Sequence, residues 1–408
     1  MPQPSRLKLL FVFGTRPEAI KLAPVIRYFR QHRAEETQVD VCVTAQHREM
    51  LDQVLKVFDI HPRFDLNVMR PDQTLASVTG MMLPALESVL ESCRPDLVFV
   101  QGDTTTTLCG ALASFYARIP VAHIEAGLRT GDLYQPFPEE MNRVIVSKLS
   151  TIHFAATRQA AANLDSEGIP PERIEVTGNT GIDALIDVKC RLQDGELQSD
   201  CPLFVPNGRR MILVTAHRRE YFGPGIQQIC TALREIVESH DVHVVYPVHP
   251  NPRVSGPVRQ QLGGHPRITL TEPLDYVSFI DLLRRAYLLL TDSGGIQEEA
   301  PSIGKPVLVL RDKTERPEAV QAGTAILVGT NANDIVANTE RLLTNASEYE
   351  RRSQLKNPYG DGTASARIAE YLFNSEWRSF QGSAEGRMSL KSIAQTSKSG
   401  VPLGDGKR

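Results

Sequence analysis

Short runs of apolar, β-branched sequence alternate along this chain with longer segments of helical period. Leu7–Phe13, Val39–Thr44, Leu97–Gln101, Val121–Ile124 and Ile152–Ala155 form one series, and Met211–Thr215, Val242–Val248, Ile268–Thr271, Tyr287–Thr291 and Val307–Leu310 form a second. Segments such as Thr74–Ser92 and Thr104–Ala117 lie between them. A run without polar alternation needs cover on both faces, and helices returning between parallel strands provide it. Each series therefore predicts a doubly wound α/β domain. Between about Leu192 and Arg210 the alternation pauses in Gln-Asp-Gly-Glu-Leu-Gln-Ser-Asp-Cys-Pro and Val-Pro-Asn-Gly-Arg-Arg, a loop-rich stretch of the kind that joins domains. At 408 residues the chain exceeds one ordinary core, so the expectation is two such domains facing a cleft. The stretch from Arg378 to Arg408, rich in Ser, Gly and Lys without apolar periodicity, is expected to be disordered.

Charge and composition close off several functions. With 45 basic against 48 acidic residues and a formal net charge of -3, nothing global favours nucleic acid or an anionic membrane. The longest apolar stretches fall well short of the roughly 20 residues that span a bilayer, and the first of them reads as a buried strand, not a signal peptide. Six scattered cysteines without CxxC spacing fit reduced thiols in a cytoplasm, with neither a disulfide framework nor a zinc ribbon. No GxGxxG follows the first strand, and neither GxxxxGK[ST] nor GxSxG occurs. His240, His243 and His249 lack metal-ligand spacing. The expectation is an activity with no metal and no cofactor.

Ligands of parallel α/β sheets bind beyond the carboxyl ends of the strands, which gives weight to polar residues directly after a run. Gly14-Thr15-Arg16-Pro17-Glu18 ends the first; Thr15 and Glu18 have capping-box spacing, opening a helix whose amides can face an anion, with Arg16 and Lys21 adding positive charge. A well-capped helix with a surface arginine explains the same residues equally well. Asp103 and Glu125 each put a carboxylate at a strand end; Asp103 alone reads as a helix cap, whereas Glu125, before Ala-Gly, caps nothing obvious. Pro136-Phe137-Pro138-Glu139-Glu140 opens a helix, where acids also suit the dipole. In the second series, His217-Arg218-Arg219-Glu220 follows one strand and Asp292-Ser293-Gly294-Gly295 another. The paired glycines either bare their amides to a phosphate or serve a turn of positive φ. Carboxylates from one half and cationic, phosphate-binding groups from the other point to a phosphorylated or nucleotide-linked substrate and to proton transfer.

Read together, Phe13-Gly14-Thr15-Arg16-Pro17-Glu18-Ala19-Ile20-Lys21, Thr44-Ala45-Gln46-His47-Arg48, Gly102-Asp103-Thr104-Thr105-Thr106, Glu125-Ala126-Gly127-Leu128-Arg129-Thr130-Gly131, Gly178-Asn179-Thr180, His217-Arg218-Arg219-Glu220, Asp292 to Glu299 and Asn357-Pro358-Tyr359-Gly360-Asp361-Gly362 closely resemble the non-hydrolysing UDP-N-acetylglucosamine 2-epimerase family. The match runs in order from Leu9 to about Tyr371. It implies two Rossmann-like domains in the GT-B arrangement: residues 1–190 with the catalytic acids, a linker over 191–210, a UDP-binding domain over 211–362, and a helix over 363–377 packing back on the first domain. The implied reaction interconverts UDP-N-acetylglucosamine and UDP-N-acetylmannosamine. UDP leaves, 2-acetamidoglucal stays bound, and UDP adds back with a proton delivered to the opposite face of carbon 2.

By motif, Asp103, Glu125 and Glu139 match the family's essential acids, and His217 its histidine near the leaving phosphate. Arg16, Lys21, Ser293, Gly294 and Gly295 match the diphosphate site and Glu299 the ribose site. Gln46, Arg218 and Arg219 match positions where a second UDP-N-acetylglucosamine activates bacterial members. The resemblance further implies a cytoplasmic homodimer supplying surface polysaccharide synthesis. Gln101 and Ala216 stand where some members have His and Gly, and neither change removes a charge. A hydrolysing epimerase, a glycosyltransferase of the same fold and a catalytically inactive sugar-nucleotide sensor are the competing readings.

Overall fold

The computed structural model describes residues 6–44, 48–68, 73–201 and 208–380. These form two compact units, one running up to Thr177 and resuming at Ser365, the other spanning Gly178 to Ala364.

The first unit holds a seven-stranded sheet of β1 (Leu7–Phe13), β2 (Thr37–Val43), β3 (Phe64–Asp65), β4 (Leu97–Gln101), β5 (Val121–Ala126), β6 (Ile152–Ala155) and β7 (Ile174–Val176). The order is β3-β2-β1-β4-β5-β6-β7, every pair parallel. Strand alternation explains how both faces become core. Phe11 stacks on Phe99 at 4.5 Å, with Phe154 beyond it and Phe29 of helix Arg16–His32 tilted against them. On the opposite face Leu10, Val12, Val98 and Val100 pack with Met82 and Leu86 of helix Leu75–Cys93. Winding direction reverses between β1 and β4, the position at whose carboxyl edge parallel α/β sheets bind their ligands.

The second unit repeats the plan with β8 (Arg210–Thr215), β9 (Val242–Pro247), β10 (Ile268–Thr271), β11 (Leu288–Thr291), β12 (Val307–Val309) and β13 (Ala325–Leu327). Their order is β10-β9-β8-β11-β12-β13, which puts the reversal between β8 and β11. Ile212, Val214, Val244, Tyr246 and Leu290 pack beneath Ile229, Leu233 and Ile236 of helix Pro224–Ser239. Among the described residues no helix is long and apolar enough to cross a membrane.

Two details differ from the sequence expectation. The division falls after Thr177 and not near residue 190, because helix Thr180–Gln193 is tied into the second unit. Its cap Asn179 donates from Nδ2 to Glu298 and from its backbone N–H to Tyr359 O (2.7 Å), and Asp183 accepts the Ala364 N–H. The loop-rich stretch thus starts only after Gln193, and its residues 202–207 lie outside the described residues. Arg378–Phe380, expected to be disordered, lie in a 3-10 turn begun by the buried Trp377; the remaining tail, from 381 onward, lies outside the described residues. Helix Ala364–Asn374 attaches to the first unit through Arg367 Nη1 on Thr177 O (3.0 Å), Tyr371 OH on Glu172 O (2.6 Å) and the Tyr371 ring edge-on to Phe154.

Candidate active site

In the first unit, the ends of β1, β4 and β5 lie side by side at the reversal point. Gly14 is required by crowding: a Cβ there would fall 2.0 Å from Thr44 Oγ1 and 2.6 Å from Thr106 Oγ1, which hydrogen-bond each other at 2.9 Å. The capping box of Thr15 and Glu18 forms. Glu18 does more than cap. Its carboxylate accepts from Gly14 N–H (3.0 Å) and Thr15 N–H (2.7 Å) on one loop, and from Thr104 (2.6 Å) and Thr107 hydroxyls on the other. Burial raises its pKa and these donors oppose that shift.

Thr104, not Asp103, caps helix Thr105–Tyr116, its hydroxyl accepting from Thr107 N–H at 3.1 Å. The capping explanation of Asp103 therefore falls away, and its carboxylate turns to Arg143, whose Nε and Nη2 reach it at 2.9 and 2.7 Å. Asn142 Nδ2 fixes the Asp103 carbonyl (2.8 Å). Arg143 also donates to Glu140 (2.9 Å), and Glu140 accepts the Thr130 and Gly131 N–H groups. So the neighbouring acids divide: Glu140 is fully buried in this clamp, while Glu139, the first residue of helix Glu139–Leu149, is half-buried.

Glu125 occupies a bulge where the β5–β6 register shifts, with φ of 61°. A non-glycine residue in this region is strained and belongs to sites that need a side chain aimed off the strand. There it meets Lys21 Nζ at 2.5 and 2.6 Å and the Gln101 amide. Lys21, read in the sequence as a diphosphate ligand, thus sits on a carboxylate of its own unit; Arg16 begins the first helix, half-buried.

His123 on β5 brackets the Asp103 turn, its Nε2 2.7 Å from Gly102 O. Burial pushes its pKa down to about 3, so the ring is neutral and Nε2–H donates. An unfolded histidine titrates near 6.5. As pH falls from about 6.5 to about 3, the unfolded chain takes up a proton that the folded one refuses, and this group erodes stability by up to about 1.4 kcal/mol per pH unit. Above that window it has no effect, and below it the penalty is constant. Urea denaturation of His123→Gln should show a pH dependence shallower by about one proton in this range; equal slopes would disprove the assignment.

In the second unit, β8 and β11 end together, with Thr215 Oγ1 and Thr291 Oγ1 2.6 Å apart. His217 follows β8 with a half-open side chain, its ring stacked on His249 at 5.3 Å. Arg218 Nε donates to Asp292 O, and its guanidinium lies 3.4 Å from Glu315. Arg219 is exposed on the turn Arg219–Tyr221. Ser293 precedes helix Gly294–Glu299 without a side-chain cap bond. Neither Gly294 nor Gly295 has positive φ, and a Cβ on Gly295 would meet nothing closer than Ser293 Oγ at 4.0 Å. The turn-geometry explanation of this pair fails.

Three residues that the sequence reading missed complete the picture. Arg143 holds Asp103 and is itself held by Glu140, and Arg316 places its guanidinium 3.6 Å from where a Gly294 Cβ would be, anchored through Nε to buried Glu298. Glu299 is half-buried beside it. Gln46 lies outside the described residues. Among the described residues, no three His, Cys, Asp or Glu side chains gather as a metal ion needs.

The family model for UDP-N-acetylglucosamine 2-epimerase matches residues 30–373. The chain is 55% identical over 375 residues to the UDP-N-acetylglucosamine 2-epimerase of Yersinia pestis, covering 91% of this chain and 99% of that one. Its identity to the Escherichia coli K12 protein of the same name is 52%, over 90% and 99% of the two chains. Among solved structures, the Neisseria meningitidis UDP-GlcNAc 2-epimerase bound to UDP-GlcNAc superposes with a TM-score of 0.82 at 48% identity, over 90% of this chain and all of that one. Fold and relatives together define an isomerase built on two Rossmann-like domains of the GT-B type. The chain belongs to the UDP-N-acetylglucosamine 2-epimerase family.

Proposed function

We propose that this protein interconverts UDP-N-acetylglucosamine and UDP-N-acetylmannosamine without net hydrolysis. The carrying observation is that Asp103 and Glu125, at adjacent strand ends, are each gripped by a different cation, Arg143 and Lys21. Such separately held carboxylates suit removal and return of one proton. In the elimination, a carboxylate takes the carbon 2 proton, the bond from carbon 1 to the phosphate oxygen breaks, and UDP leaves 2-acetamidoglucal. In the return, that bond re-forms and an acid delivers a proton to the opposite face. Asp103, Glu125 and Glu139 are the acids of the scheme. His217, Arg16, the Ser293–Gly295 amides and Arg316 stabilise the charge that collects on the departing diphosphate, and Glu299 holds the ribose.

The scheme moves a proton and a leaving group with no hydride transfer, and so calls for no nicotinamide. Gln46, Arg218 and Arg219 form the candidate site for a second, activating UDP-N-acetylglucosamine, and a cytoplasmic homodimer supplying surface polysaccharide synthesis is the setting this reading expects.

Incubation of either epimer in heavy water tests it. Both epimers recovered at equilibrium should carry deuterium at carbon 2, with the total sugar nucleotide conserved. Absence of deuterium overturns the proton-transfer scheme, and stoichiometric free UDP identifies a hydrolysing enzyme instead.

A further inference from the structure

Asp292 is the residue of the Asp-Ser-Gly-Gly turn to which the scheme above gives no task. It follows β11 and is 1% exposed. One carboxylate oxygen, Oδ2, is fully engaged, accepting the backbone N–H of His217 at 2.6 Å and of Arg218 at 2.7 Å. The other, Oδ1, is buried, accepts no hydrogen bond among the described residues and lies 3.5 Å from His217 Nδ1. A buried carboxylate oxygen without a donor is costly, and the imidazole nitrogen is poised to become that donor once the ring closes by a few tenths of an ångström. The ring is stacked on His249, within 11° of parallel. Burial, and next the adjacent His217, lower the pKa of His249, which favours a neutral surface against the ring.

We propose that Asp292 is a positioning residue that holds the His217 proton on Nδ1, so that Nε2 is the nitrogen presented to the leaving diphosphate. The inference rests on the role given to His217 above. With Nδ1–H committed to Asp292, a proton taken from solvent adds at Nε2, and the resulting Nε2–H donates to the phosphate oxygen released from carbon 1. The carboxylate on Nδ1 offsets the imidazolium charge without itself accepting the proton, the logic by which a buried aspartate serves a catalytic histidine on unrelated folds.

Asp292→Asn is the test, since its Oδ1 can still accept the two backbone N–H groups while its NH₂ faces Nδ1 and forces the proton to Nε2. Nitrogen-15 spectra of the histidine-labelled protein should show His217 protonated at Nδ1 in the wild type and at Nε2 in the variant. Turnover should fall about 10²-fold or more with KM changed only a few-fold. In a His217→Asn background the same substitution should cost almost nothing more, because a residue acting through His217 has nothing left to act on. An undiminished loss in that background marks a purely structural role and overturns the proposal. So does an Nε2–H tautomer in the wild type, a reading that needs no variant to fold. If His217→Asn itself retains full turnover, the role of His217 fails first, and that failure is visible before Asp292 is altered.

Discussion

Asp103→Asn should turn over about 10² to 10⁴ times more slowly than the wild type while binding UDP within a few-fold of normal. The substitution keeps the shape of the side chain, and the surrounding clamp does not depend on its charge alone. Asn142 holds the Asp103 main-chain carbonyl, Thr104 supplies the helix cap, and Arg143 keeps its second partner in Glu140. What disappears is a group that can take up and release a proton. UDP binding by calorimetry and turnover by the anomeric proton signals of the two epimers separate the effects. Turnover near the wild-type rate, with deuterium still entering carbon 2, would remove Asp103 from the chemistry and leave Glu125 and Glu139 to carry it. Lost UDP binding would instead mean that the Asp103–Arg143 clamp shapes the unit.

The central strands could be read in the sequence because each is covered on both faces and therefore apolar throughout. β1 and β4 occupy the residues expected, Leu7–Phe13 and Leu97–Gln101. The strands the sequence hid, β3, β7 and β13, all lie at sheet edges and run only two or three residues. Ile174-Glu175-Val176 shows why: an edge strand has a neighbour on one side only, is partly exposed, and does not build the apolar run that marks a buried strand. The domain boundary was hidden for a related reason. The chain passes between units within the turn Thr177-Gly178-Asn179, where Gly178 takes a φ of 92° and Asn179 caps the next helix. A tight turn and a new helix look the same inside a domain as between two. The described residues of the polar stretch after Gln193, which looks like a linker, fall in the second unit.

The strand-end rule singles out Asp103, Glu125, His217 and the Ser293–Gly295 turn, since each lies at the end of its strand or begins within two residues of it. It could not find partners brought in from elsewhere. Arg143 arrives from a helix 40 residues beyond Asp103, and Arg316 from a loop after β12, at positions with no strand-end signature of their own. One local clue existed: Glu140 and Arg143 stand three apart on one helix, the spacing of an ion pair. The motif resemblance groups Lys21 with Arg16 as a diphosphate ligand, and helical geometry turns it toward β5, where Glu125 sits at the bulge.

That last pair carries the largest stability effect expected here. Glu125 is only 8% exposed at its side chain and Lys21 22%, so Lys21→Met takes the ammonium away from a carboxylate with little access to water, and the Gln101 amide that remains beside it carries no charge. Breaking a buried ion pair from one side typically costs 3–5 kcal/mol, and the partial exposure of Lys21 places the expectation at about 3 kcal/mol. Glu125→Gln should cost less, about 1 kcal/mol, because the ammonium it abandons can turn to solvent on a flexible stem. The double variant should then be nearly as stable as Glu125→Gln alone, since removing both charges leaves nothing uncompensated. Urea midpoints of the four proteins measure the cycle. Activity should not follow the same order: both variants lacking Glu125 should be inactive whatever their stability, because the acid is gone. If Lys21→Met proves as stable as the wild type, Glu125 does not depend on this cation and the account of its burial is wrong; if the stable double variant turns over normally, Glu125 is a structural group and the proton belongs to Asp103 and Glu139.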